Sequence, residues 1–189
     1  MRMLTHYRYA RIERERRFLL CDFPHGQPIV RMRRITDRYI EGTNLRLREQ
    51  KDDGSPPVFK LTQKIRAPAS AAQQGYITTM YLDGDAHERL SQLSAKVLAK
   101  LRYSVPPFGI DVFEGELDGL VLAEAEFDSP AEAAALKIPD FIAHEVSTDS
   151  RFTGGLLAHA SRQDLETWLS DYGLTIWSQW LHRPPEHTR

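Results

Sequence analysis

Several segments of this sequence carry charged residues at every second position, with other residue types between them. Glu13, Glu15 and Arg17 form the first set. The later sets are Arg46 with Arg48, Lys60 with Thr62 and Lys64, Lys100 with Arg102, and Glu124 with Glu126. Side chains of a β-strand alternate between two faces, so each set shares one face. These could be the solvent faces of an ordinary sheet. Such faces tend to mix charge signs, however, whereas some of these sets are purely basic and one is purely acidic.

A closed barrel would give these charged faces a common, wet lumen. Basic side chains in such a lumen could hold a polyanion, and carboxylates could hold divalent cations that bridge to it. Mg²⁺ and Mn²⁺ favour oxygen ligands from one or two carboxylates together with phosphate oxygens. This chemistry suits a triphosphate.

The elements that must position these residues are mostly strands. The pattern predicts strands at 10–20, 33–48 with a break at Gly42, 58–64, 77–82, 101–105, 110–116 and 120–127. It predicts a helix over 85–100, a helix start at Ser129 with Glu132 three residues later, and a loop at Gly154 and Gly155. A last helix is expected after Ser161 and Asp164, with a second short one after Gly173.

Composition narrows the class of protein. The chain has 189 residues, 41% of them apolar, which is enough for one compact domain with a short appendage. Its 25 basic and 26 acidic residues nearly cancel, which argues against nucleic acid or a membrane surface as partner. The lone Cys21 excludes an internal disulfide and a multi-cysteine zinc site. No signal peptide or membrane-spanning stretch is evident, so we expect a soluble, cytoplasmic protein.

The motifs resemble those of a known family, the CYTH superfamily of triphosphate tunnel metalloenzymes. Residues 12–20 look like its opening Glu-x-Glu-x-Lys signature followed by Phe-Leu, and residues 45–48 look like its Leu-Arg-x-Arg strand. Residues 61–64 and 100–103 are similar to its Leu-Thr-x-Lys and Lys-x-Arg-Tyr strands. Residues 110–127 resemble its paired strands ending in Glu-x-Glu, and residues 144–152 resemble its closing motif. The matches occur in order over about residues 7–160.

The resemblance implies an α+β fold, namely a closed eight-stranded antiparallel β-barrel with a charged lumen and helices packed outside. It places the tunnel domain at 1–160 and leaves 161–189 as a C-terminal helical extension on the barrel. The implied activity is Mg²⁺- or Mn²⁺-dependent hydrolysis of inorganic triphosphate or of a nucleoside or thiamine triphosphate. The chain would act on this small-molecule partner as a monomer or homodimer.

The resemblance also implies residue roles. The metal-binding acids would be Glu13, Glu15, Glu124 and Glu126. Asp111 and Glu114 lie on opposite faces of one strand, so at most one of them faces the lumen, and Asp111 is taken as a fifth metal-binding acid. The phosphate chain would be held by Arg46, Arg48, Lys64, Lys100, Arg102 and Arg151. Catalytic roles would fall to Glu13, Glu15, Arg17 and Lys100.

Two departures from the family pattern leave the activity open. Arg17 stands where the family usually has Lys, which keeps a cation but removes a proton that is easily exchanged. Many members have Arg-x-Glu-x-Glu in the strand after Lys64, where this chain has Gly75, Ile77 and Thr79. The alternatives to a hydrolase are a non-catalytic polyphosphate- or nucleotide-binding module and an adenylate cyclase of the class IV type.

Overall fold

The computed structural model describes residues 8–66 and 74–176 of the chain. Nine strands lie in this part of the chain: β1 (Arg11–Leu19), β2 (Arg31–Ile40), β3 (Leu45–Asp52), β4 (Val58–Arg66), β5 (Gln74–Leu82), β6 (Ala95–Val105), β7 (Phe108–Phe113), β8 (Val121–Glu126) and β9 (His144–Glu145). Four α-helices accompany them: α1 (Gly84–Leu90), α2 (Pro130–Ala135), α3 (Gly154–Leu157) and α4 (Arg162–Ser170). Short 3-10 helices span Gly115–Leu117 and Ser150–Phe152.

The first eight strands form a closed antiparallel barrel. Their order is β5-β4-β3-β2-β6-β7-β8-β1, and β5 also pairs with β1 to close the ring. Strand β1 can close the ring because it pairs with β5 through its first half and with β8 through its second half. The ninth strand, β9, only extends the sheet by pairing with the end of β1. The eight-stranded barrel expected from the sequence is therefore confirmed.

The outer face of one half of the barrel carries an apolar core. Phe18, Tyr103, Ile110 and Ala123 point outward from β1, β6, β7 and β8 and are all buried. The segment around Phe141 covers them. Helix α2 begins there as the sequence predicts, because the Ser129 side chain accepts a hydrogen bond from the backbone N–H of Glu132 at 3.2 Å.

A second apolar cluster closes one end of the lumen. Lumen-facing Leu19, Leu98, Phe113 and Leu122 pack there against residues of the C-terminal helices. Those residues include Phe152, Leu157, Leu165 and Leu169, all of which are buried. We call this cluster the floor of the barrel. The C-terminal helices therefore close an end of the barrel.

Gly154 allows the floor to pack closely. A Cβ atom at this position would lie 2.1 Å from the Tyr39 hydroxyl oxygen, so no larger residue fits without movement. The loop predicted at Gly154 and Gly155 is instead the start of α3. Helix α4 begins where predicted, because Ser161 and Asp164 form a complete capping box.

The helix predicted over 85–100 is wrong in its second half. Helix α1 ends at Leu90, and β6 begins at Ala95. Ten residue pairs join β6 to β2, so strand pairing outweighs the helical spacing of the apolar residues. Two residues that supplied this spacing, Leu93 and Val97, are exposed. The second short helix expected after Gly173 lies mostly outside the described residues.

Candidate functional site: a charged lumen

The predicted acids line one wall of the lumen, formed by β1 and β8. Strand pairing places Glu15 beside Glu126 and Arg17 beside Glu124, so these side chains share the lumen face. Glu13 continues the same row toward β5. Glu126 is exposed, while Glu13, Glu15 and Glu124 are half-buried. The structure thus brings together four of the five predicted metal-binding acids.

The fifth acid, Asp111, lies in the lumen between two cations. It is fully buried, with 0% of its surface exposed. It accepts hydrogen bonds from Lys100 and from Arg102, whose Nε lies 2.5 Å from Asp111 Oδ1. Arg102 also reaches Glu124 on β8. These contacts place Asp111 where it orients two predicted phosphate-binding residues.

Gly109 makes the reach of Arg102 possible. It lies between Arg102 and Glu124 on the lumen face, and a Cβ atom there would lie 3.3 Å from Arg102 Cδ. The missing side chain leaves a path for the guanidinium. An ion pair therefore spans three strands at this point.

A third predicted group, Arg46 and Arg48 on β3, is organised by Asp37 of β2. Asp37 Oδ1 accepts from Arg48 Nε at 2.6 Å, and Oδ2 accepts from Arg48 Nη2 at 2.7 Å. Arg46 Nε lies 3.6 Å from Asp37 Oδ1. Burial by itself would raise the pKa of Asp37, but Arg48 and Arg46 outweigh it and hold that pKa well below its usual range.

The remaining lumen cations lie nearer the exposed end. Lys64 Nζ lies 2.9 Å from Glu13 Oε2. Arg33 Nη2 donates to Ser104 Oγ at 2.7 Å and makes no ion pair with a carboxylate among the residues that the structure describes. Lys60 Nζ lies 5.3 Å from the centre of the Tyr81 ring. Burial and the neighbouring Arg48 lower the pKa of Lys60, as expected for a cation in a basic group.

One wall of the lumen is uncharged. On β5, Gly75 lies beside Glu13, Ile77 beside Lys64 and Thr79 beside Thr62. The two threonine hydroxyl oxygens are 3.2 Å apart. The structure therefore places the departure from the family pattern on the lumen face, next to acids and cations that the chain has kept.

The acids of β1 and β8 interact with one another. Burial raises the pKa of Glu15, and the carboxylates of Glu124 and Glu13 raise it further. The pKa of Glu124 would also be raised by burial, but Arg102 and Lys100 outweigh this effect and lower it. The protein therefore disfavours the ionised form of Glu15 and favours that of Glu124.

Two predicted site residues, Arg17 and Arg151, already contact other groups of the protein. Arg17 is buried, and its guanidinium donates to Ser147 O at 3.1 Å and to Glu15 Oε1 at 3.2 Å. Arg151 lies on the 3-10 helix near the floor, where its guanidinium contacts Asp149 at 2.7 Å and Asp171 at 2.5 Å. No contact among the described residues joins Arg151 to the lumen cations. Its part in binding phosphate stays a prediction.

The sequence did not reveal Asp37 and Arg33 as lumen residues. Both lie on the lumen face of β2, alternating with Ile35 and Tyr39. The apolar residues at the intervening lumen positions hide the two-residue charge pattern. A search for single charges flanked two residues away by large apolar residues would have found Asp37, which lies between Ile35 and Tyr39. It would not have found Arg33, because Arg31 precedes it by two residues.

Two inorganic triphosphatases are similar to this chain in sequence. The chain is 45% identical to an inorganic triphosphatase of Acetivibrio thermocellus over 36% of this chain and 46% of that protein, so the match spans just under half of that relative's length. It is 30% identical to an inorganic triphosphatase of Nitrosomonas europaea over 77% of this chain and 96% of that one. A crystal structure of an inorganic triphosphatase superposes with a TM-score of 0.52 and 26% identity, over 78% of this chain and 95% of that chain. No family model matches the chain.

The barrel, its charged lumen and these relatives define an enzyme of the tunnel type. The chain belongs to the CYTH superfamily of triphosphate tunnel metalloenzymes. None of the helices among the described residues is long and apolar enough to cross a membrane.

Proposed function

We propose that the chain hydrolyses a linear triphosphate inside the lumen with the help of Mg²⁺ or Mn²⁺, and that inorganic triphosphate is the substrate to test first. One observation carries the proposal: acids on the β1–β8 wall and cations on β2, β3, β4 and β6 share a single lumen. Two relatives named inorganic triphosphatase support the choice of substrate.

The cations bind the phosphate chain in this proposal. Arg46 and Arg48 are held side by side by Asp37, so two planar guanidinium groups are already oriented for phosphate oxygens. Arg102 is held in the same way by Asp111. Phosphoryl transfer needs mainly positioning and charge stabilisation, which fixed cations supply without reorganising during the reaction.

The acids suit a hard divalent cation, because they offer only carboxylate oxygens and because Glu15, Glu13 and Glu124 repel one another. Glu13, Glu15, Glu124 and Glu126 would hold it. Among the described residues no three His, Cys, Asp or Glu side chains form a complete metal site. Mg²⁺ commonly takes one or two carboxylates and completes its shell with water and phosphate oxygens, so one or two of these four acids would suffice. The bound cation would neutralise charge on the phosphate oxygens.

Glu15 is the residue best suited to accept the proton of the attacking water at its carboxylate, in which case the cation is held by the other acids of the wall. Its raised pKa makes this carboxylate a stronger base than an ordinary glutamate. Lys100 is hydrogen-bonded to Asp111, and its Nζ lies 5.3 Å from the centre of the Phe113 ring. We assign Lys100 the role of donating a hydrogen bond to a phosphate oxygen.

The uncharged β5 wall favours one other function, a non-catalytic phosphate-binding module. Gly75, Ile77 and Thr79 supply none of the charges found there in many family members, so binding could persist without turnover. The cytoplasmic location and the monomeric or homodimeric state remain part of the proposal.

Phosphate release from tripolyphosphate and ATP, with Mg²⁺ or Mn²⁺, tests the proposal. The double variant Glu13→Gln with Glu15→Gln is expected to lose turnover. Glu49→Gln, which changes an acid on the outer face of β3, is the matched control and should keep it. Absence of turnover by the wild type, together with thermal stabilisation by tripolyphosphate, would instead favour the binding module.

A further inference from the structure

One row of paired residues crosses the lumen from its floor to an exposed edge. Leu98, Asp37, Arg48, Lys60 and Tyr81 are successive partners on β6, β2, β3, β4 and β5. The exposed fraction is 4% at Leu98, 1% at Asp37 and 73% at Tyr81. Because the strands of a barrel are tilted, one pairing row passes from one end of the lumen toward the other. Solvent therefore reaches this row from the Tyr81 end.

The opposite end offers no passage. The lumen-facing side chains there are apolar and buried, and Phe152 and Leu157 pack against them from the C-terminal helices. A phosphate chain would have to leave water and enter an apolar cluster to pass through, which is strongly unfavourable. Within residues 8–66 and 74–176, the lumen is thus closed at the floor and open at the Tyr81 end, which we call the mouth.

Building on the proposed hydrolysis, we propose that the substrate enters with a free terminal phosphate first and that Tyr81 contacts the organic group of a triphosphate ester at the mouth. The cations lie along the row between Asp37 and Lys60, so a phosphate chain bound there points its other end toward Tyr81. The aromatic face of Tyr81 can stack on a planar base or heterocycle.

The composition of the mouth supports an organic group at this place. Lys60 lies over the Tyr81 ring and keeps a cation at the point where the phosphate chain would meet the ester. The neighbouring lumen positions on β5, Thr79 and Ile77, are uncharged. An uncharged wall beside an exposed aromatic ring suits a partly apolar ligand better than it suits a fully charged inorganic chain.

Kinetic measurements on the full chain test both the direction in which the substrate enters and the role of Tyr81. Tripolyphosphate, ATP and diadenosine tetraphosphate, which has adenosine at both ends of its phosphate chain, are compared as substrates. We expect the first two to be hydrolysed and the end-blocked compound to be cleaved at least a hundredfold more slowly. Comparable cleavage of the end-blocked compound, or no cleavage of ATP by an enzyme active on tripolyphosphate, would overturn the inference and leave the proposed hydrolysis standing.

The role of Tyr81 is tested by a ratio. In Tyr81→Ala, kcat/KM for ATP divided by kcat/KM for tripolyphosphate is expected to fall about fivefold to tenfold, as a lost stacking contact predicts. Tyr81→Phe keeps the ring and should keep the ratio. Met80→Ala alters the adjacent exposed residue on the outer face of β5 and is the control. An unchanged ratio in Tyr81→Ala would show that Tyr81 does not contact the organic group of the ester. If the wild-type protein shows no turnover, the rise in Tm caused by each of the three compounds is compared in place of the kinetics.

Discussion

The charge of Asp37 holds Arg48 and Arg46 in place on β3, and Asp37→Asn removes that charge at almost constant volume. In the wild type this carboxylate is 1% exposed and accepts two hydrogen bonds from Arg48, with Arg46 at 3.6 Å. Breaking a buried pair by neutralising one partner costs about 3–5 kcal/mol, because the other charge stays buried. Arg46 and Arg48 still reach solvent in the lumen, so we expect a loss near the lower limit, about 3 kcal/mol.

Thermal denaturation at neutral pH measures this loss. For a chain of this size about 3 kcal/mol corresponds to a fall in Tm of roughly 6–12 °C. Adding tripolyphosphate should narrow the difference, since the bound anion supplies the negative charge that the variant lacks. Glu49→Gln is the matched control, because Glu49 pairs with Lys51 on the outer face and such exposed pairs contribute less than about 1 kcal/mol. A Tm for Asp37→Asn within about 2 °C of the wild type would refute the reasoning.

The pH dependence gives a second check on Asp37. Because its pKa is lower in the folded chain than in the unfolded one, its contribution is present above the unfolded value and is lost as the pH falls through the folded value. The stability difference between wild type and Asp37→Asn should therefore be constant from about pH 5 to pH 8 and shrink below about pH 4. A difference that grew in acid would contradict this sign.

Three further predictions concern the acid wall, the Arg102 path and the floor. The pKa of Glu15 is higher in the folded chain than in the unfolded chain, so ionised Glu15 lowers the stability near neutral pH. Glu15→Gln should therefore keep the free energy of unfolding or raise it by up to about 1 kcal/mol, and it should abolish turnover. A denaturant titration that shows a clear loss would contradict it. Gly109→Val should displace Arg102 and lower kcat at least tenfold in phosphate-release assays, whereas unchanged kcat would show that this ion pair is dispensable. Phe152→Ala should destabilise the chain by about 3–5 kcal/mol in the same titration, and a loss below about 1 kcal/mol would mean that the floor is loosely packed.

The sequence predicted the barrel and most of its lumen because strand alternation is a property of the backbone itself. Glu13, Glu15, Arg46, Arg48 and Lys64 could be assigned to one face without knowing which strands pair. Their order along the chain then matched a family pattern, which supplied the closure of the barrel. The comparison with a 30% identical relative confirms this family.

The features that the sequence did not predict depend on contacts between residues far apart in the sequence. The floor joins Leu19 and Leu98 to Leu165, and no local pattern shows that a C-terminal helix closes the end of a barrel. The false helix over 91–100 has the same cause, since pairing with β2 decides the conformation of that segment. Asp37 was missed because its importance lies in the cross-strand pair with Arg48.

The lumen contains two kinds of acid, and the difference bears on how the proposed substrate and metal would bind. Asp37 and Asp111 are fully buried and hold their cations from behind, so a phosphate chain can add to those cations without displacing the acids. Glu13 and Glu124 are partly open to the lumen and are paired with Lys64 and Arg102.

A triphosphate that takes over Lys64 and Arg102 leaves Glu13 and Glu124 without partners beside a new polyanion. A divalent cation bound to these acids removes that penalty. The cation in turn binds more tightly when the triphosphate is present, because the ion pairs of Glu13 and Glu124 no longer have to be broken. Each ligand should therefore increase the affinity for the other by the same factor, because such coupling is reciprocal. Titration of tripolyphosphate with and without Mg²⁺, and of Mg²⁺ with and without tripolyphosphate, measures the factor after correction for complexation of the two in solution. Equal affinities with and without the other ligand would mean that the ion pairs of Glu13 and Glu124 are not broken when the substrate binds.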